Sequence, residues 1–123
     1  MFEASHFSTH QVVCVLPDFK RKSGLAPDAV FLLFPSHNLT APQRAQLVVM
    51  EAKMNSMRFG EAQHALKKYE DAVAKYYPGC LLTKVYAPYN LSAEQLESVM
   101  HNATKHSIKV LRNRGDALSS ELV

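Results

Sequence analysis

The sequence predicts an α+β fold: one four-stranded mixed sheet with about three helices, in the order β-β-α-α-β-α-β. Three observations carry that expectation. Two continuous apolar runs, Val12–Leu16 and Ala29–Phe34, end at or beside a proline and read as strands. The long stretch from Thr40 to Tyr77 places its apolar residues at helical spacing. Two later runs, Cys80–Ala87 and Ser107–Arg112, enclose a segment with strong helix-start signals.

In the first two strands the hydrophobicity is unbroken rather than alternating, which marks interior strands with material on both faces. Lys20-Arg21-Lys22-Ser23-Gly24 between them reads as a loop, and Asp18 and Asp28, each beside a proline, read as turn residues. Thr40 and Gln43 have the spacing of a capping box, with Pro42 tolerated in the first turn. From that start Leu47, Met50, Met54 and Met57 recur at steps of three and four, one stripe of a helix that Val48 and Val49 widen. Arg58-Phe59-Gly60 divides this stretch into two helices, since Gly costs a helix interior about 1 kcal/mol relative to Ala. In the second helix Ala62, Ala65, Leu66, Tyr69, Ala72, Val73 and Tyr76 share a face, and Pro78-Gly79 ends it.

A second capping box, Ser92 with Gln95, opens a helix whose apolar face is Leu96, Val99, Met100 and Ala103; Leu91 and Leu96 form its hydrophobic staple. Strand, helix and strand over residues 80–112 predict a parallel pair joined by a crossover. Those two strands carry Thr83, Lys84 and Lys109 among their apolar residues, so they read as peripheral or half-solvated. The chain forms a single domain over 1–123, with 114–123 a tail.

Composition narrows the class of function. A chain of 123 residues with 47% hydrophobic content can bury one core without staples. No run reaches the roughly 18 apolar residues of a membrane span, and Met1–His10 lacks the early basic residues of a leader, so a soluble, cytoplasmic protein is expected. Cys14 and Cys80 then read as reduced core thiols.

No phosphate-binding glycine loop, nucleophile elbow or zinc-protease motif is present, and no cofactor or metal is expected. His6 and His10 have helical metal-ligand spacing but no further ligands; Cys80 and His37 sit at strand ends where a thiolate–imidazole pair would form. Both are ordinary structural positions as well.

The first functional expectation is therefore a non-catalytic interaction domain, self-associating as a dimer or binding a protein partner through the stripe Leu47, Met50, Met54 and Met57. The surplus of apolar surface over what one short chain covers motivates it. A net charge of +3 and a pI near 8.9 support a second, a nucleic-acid-binding surface made of Lys20, Arg21, Lys22, Lys109, Arg112 and Arg114, with Tyr86 and Tyr89 as stacking platforms. A small enzyme with a Cys/His site is the third.

Overall fold

The computed structural model describes residues 10–35, 45–53, 59–89, 91–113 and 120–122. Its elements run β1 (His10–Cys14), α1 (Leu16–Ser23), β2 (Ala29–Pro35), β3 (Gln46–Lys53), α2 (Phe59–Tyr76), β4 (Leu81–Pro88), α3 (Ala93–Lys105), β5 (Ile108–Asn113) and β6 (Ser120–Leu122). The fold is α+β with three helices and one mixed sheet. Five strands, β1 to β5, stand side by side in chain order, where four were expected; the short β6 continues that order beside β5. β1, β2 and β3 form an antiparallel meander, β3, β4 and β5 are parallel, and β6 is antiparallel to β5.

Two elements overturn the sequence reading. The stretch expected to be the first long helix holds β3. Leu47, Val48, Val49 and Met50 are all buried, at 0% to 6% exposure. Four consecutive buried residues would wrap a helix on nearly every side, whereas a strand sends them alternately to two covered faces. Leu47 and Val49 join the cluster under the helices, and Val48 and Met50 join the cluster on the opposite face. The expected stripe thus divides across the sheet; Met54, Met57 and the capping box at Thr40 lie outside the described residues.

The second correction is α1, which occupies the expected loop and the end of the expected first strand. Pro17 stands in its first turn with Asp18, Lys20 to Lys22 occupy the last turn, and Gly24 closes it with φ of 72°, donating its N–H to the Lys20 carbonyl at 2.9 Å. Each of these is a helix-end signal: proline and acid at the start, bases at the finish, glycine beyond. Phe19, fully buried, docks this helix edge-on to Tyr69 and stacked with Tyr77, both ring centroids 6.1 Å away.

The remaining helices follow the sequence. α2 starts at Phe59, includes Gly60, and buries Ala62, Leu66, Tyr69, Ala72 and Val73. α3 carries the Ser92–Gln95 capping box with both reciprocal bonds formed, at 2.9 and 3.2 Å. β4 and β5 form the expected parallel pair around α3. β4 is nonetheless central rather than peripheral, with Val85 and Tyr86 at 0% exposure, and β1 is an edge strand rather than an interior one among the described residues.

All three helices contribute to one cluster, which contains Phe19, Leu66, Tyr69 and Val99 together with Val30, Val49, Tyr86 and Val110 of the sheet. Leu33, Val48, Met50, Val85 and Leu111 form a second cluster on the other face.

Candidate functional site

The carboxyl end of β3 brings Asp28, Glu51 and Lys53 together. β2 runs antiparallel to β3 with Ala29 opposite Met50, so the residue just before β2, Asp28, arrives beside the last residues of β3. Its N–H donates to the Met50 carbonyl at 3.0 Å, and its carboxylate Oδ2 accepts from the Ala52 N–H at 2.7 Å. These two bonds bracket Glu51. A carboxylate in this position is fixed by the backbone of a neighbouring strand rather than by a flexible partner.

Alternation along β3 turns Glu51 to the helix-covered side, with Leu47 and Val49. It is 7% exposed, the one buried charged residue among those described. The Tyr69 hydroxyl of α2 donates to its Oε1 at 3.2 Å. Burial raises the Glu51 pKa, and the neighbouring Asp28 carboxylate raises it further. Burial and the Glu51 charge in turn push the Tyr69 phenol upward, so it remains a donor. Two residues on, Lys53 presents its Nζ 3.8 Å from Glu51 Oε2 and 3.9 Å from Oε2 of Glu61, in the first turn of α2.

β3 and β4 are parallel here, with Glu51 opposite Tyr86 and Lys53 opposite Pro88, while β2 on the other side is antiparallel. The group therefore sits at the carboxyl ends of the parallel strands, beside the usual place for a ligand in open sheets of this kind. Two facing carboxylates, one of them buried, hold more negative charge than one lysine balances. A bound cation would relieve that excess. Among the described residues no group of three or more His, Cys, Asp or Glu side chains is arranged to hold a metal. Mg²⁺ suits a pair, since it keeps several waters and needs one or two carboxylates plus substrate phosphates.

The residues singled out in the sequence fall elsewhere. Lys20, Arg21 and Lys22 are exposed on α1. Arg21 and Lys22 pair with Asp18, which also accepts from the Tyr77 hydroxyl at 2.6 Å and is held well below the ordinary carboxylate range chiefly by that bond. Tyr77 itself is pushed up to about 12, by burial first and by Asp18 second. Lys109 is exposed on β5 and alternates with Ile108 and Val110 of the helix-side cluster, so it faces the opposite side of the sheet from α1. The fold does not bring the α1 bases and Lys109 together.

Arg112 belongs to β5, and Arg114 lies outside the described residues. Tyr86 is fully buried, with its ring 5.2 Å from that of Phe59, and Tyr89 is exposed. Cys14 and Cys80 are both free; Cys14 is exposed rather than in the core, and Cys80 is half-buried. His6 and His37 lie outside the described residues. A cleft beside α2 is lined by Gln63, His64, Lys67, Lys84 and His106, but Glu70 already accepts from Lys84 at 2.7 Å and Lys67 at 3.1 Å.

Asp28, Glu51 and Lys53 were the residues the sequence reading missed. The available signal was an apolar run, Leu47 to Met50, ending in Glu-Ala-Lys, which on a strand puts the acid and the base on one face. Comparison of the chain with protein-family models, with curated proteins and with solved structures finds no match.

Proposed function

We propose that the chain is a divalent-cation-dependent hydrolase of phosphodiesters, with a nucleic acid as substrate, and that Asp28, Glu51 and Lys53 form its site. One observation carries the reading: the Asp28 carboxylate is fixed on the Ala52 N–H, next along β3 to the buried Glu51, which has a lysine 3.8 Å away. In this reading Asp28 and Glu51 hold the cation, which would polarise the phosphoryl oxygen and lower the pKa of a bound water. Lys53 supplies a point charge to the phosphate. Hydrolysis forms a P–O bond from water and breaks one ester P–O bond, the leaving oxygen taking a proton. The net charge of +3 favours a polyanionic substrate, and Lys20, exposed on α1, is available for backbone contacts.

The test is cleavage of labelled single- and double-stranded oligonucleotides with Mg²⁺, with Mn²⁺ and with chelator. Cation-dependent cleavage that falls at least a hundredfold in Asp28→Asn, Glu51→Gln and Lys53→Met is expected. Cleavage that survives in all three variants, or no cleavage and no cation binding by the parent chain, overturns the proposal.

A self-associating interaction domain is the second reading, favoured by the placement of all three helices on one face of the sheet. Light scattering at high micromolar concentration tests it; a monomer there removes it.

A further inference from the structure

Lys53 has two carboxylates to choose between. Its Nζ stands 3.8 Å from Glu51 and 3.9 Å from Glu61, and its side chain is 28% exposed, confined by its neighbours rather than free in water. If Lys53 closed on Glu51 alone, it would neutralise the carboxylate that a cation needs. Glu61, 55% exposed at the first turn of α2, is the second carboxylate within ion-pair reach of that ammonium. It is not part of any three-donor metal group among the described residues.

We infer that Glu61 is a positioning residue that acts through Lys53, drawing the ammonium away from Glu51 so that Glu51 and Asp28 stay available to a divalent cation. The inference rests on the cation reading above. Lys53 is thereby shared between Glu51 and Glu61 rather than committed to Glu51. Removing Glu61 lets Lys53 fall back on Glu51, where it competes with the cation. Removing Lys53 makes Glu61 irrelevant to cation binding. A purely local loss of negative charge at an exposed residue would act with or without Lys53, and would be weakened by salt.

Mn²⁺ titration calorimetry of the full chain, at about 0.15 M salt, separates these cases in a double-mutant cycle. Glu61→Gln is expected to weaken Mn²⁺ binding roughly fivefold, the scale of one partly exposed ion pair. Lys53→Met is expected to tighten it, and Glu61→Gln in the Lys53→Met background to change it by less than about twofold. Glu61→Asp, which keeps the charge, should recover most of the parent affinity. An equal weakening in both backgrounds assigns Glu61 a direct charge effect and overturns the inference, as does no weakening in either. Absence of Mn²⁺ binding by the parent chain overturns the cation reading itself, and this inference with it.

Discussion

Replacing Glu51 by Gln is expected to stabilise the cation-free protein at pH 7, an unusual outcome for a buried and hydrogen-bonded side chain. Gln keeps the shape and can still accept the Tyr69 hydroxyl, now 3.2 Å from Glu51. What it removes is a charge, 7% exposed, that faces Asp28. Neighbouring like unit charges repel by a few kcal/mol at an effective dielectric of about 20. Asp28 is exposed and Lys53 offsets part of the repulsion, which leaves a gain of about 1–2 kcal/mol.

At roughly 4 °C per kcal/mol for a domain of this size, the melting temperature should rise by about 4–8 °C. Because folding raises the Glu51 pKa, the penalty is absent in acid, where Glu51 is protonated folded or unfolded. It opens as pH rises through the ordinary Glu range and is complete above the raised folded value. A saturating cation reverses the order: at a hundredfold excess over Kd it adds about 2.7 kcal/mol to the parent chain and little to the variant. Calorimetric melts at about pH 4 and pH 7, with and without Mn²⁺, read all four conditions. A variant less stable than the parent at pH 7 without cation, or an equal Mn²⁺ shift in both, would refute the reasoning.

Two further expectations test the scaffold that holds the site. Phe19→Ala should cost about 3–5 kcal/mol by urea denaturation, since the ring is fully buried against Tyr69 and Tyr77; a change under about 1 kcal/mol would mean that α1 does not dock through it. Glu70→Gln should cost about 1 kcal/mol at pH 7, discounted because the Glu70 side chain is 36% exposed. The Lys84 bond first, and the Lys67 bond second, depress the Glu70 pKa below the ordinary glutamate value. Its contribution is therefore present above that value and lost as pH falls through the folded pKa, so the cost of Glu70→Gln should disappear in acid. A penalty that persists at about pH 2 would show that packing, not charge, is at stake.

How far the sequence could be read depended on whether its signals were local. Ser92 and Gln95, or Pro78-Gly79, act within one turn of chain, and the structure keeps them. α1 was equally local, with Pro17 and Asp18 at its start and Gly24 at its end, but at eight residues it is too short to show a hydrophobic period. The span Gln46–Lys53 failed for a different reason. Leu47, Met50 and Met54 fit a helical stripe, and the adjacent Val48 and Val49 fit a doubly buried strand. What decides between them is the presence of β2 on one side and β4 on the other, which lies far away in sequence.

That one misreading also hid the chemistry. On a helix Glu51 and Lys53 are two residues apart and point in different directions, and Asp28 has no reason to be near either. On a strand the same two residues share a face, and the antiparallel pairing with β2 brings Asp28 to the Ala52 N–H, 24 residues away. The candidate site is thus a property of pairing rather than of any motif in the chain. Its parts are ordinary: a turn aspartate, a strand glutamate, a lysine at a strand end. The unusual feature is that the fold buries one carboxylate beside another when a neutral residue would cost less, and a bound cation is the simplest compensation for that arrangement.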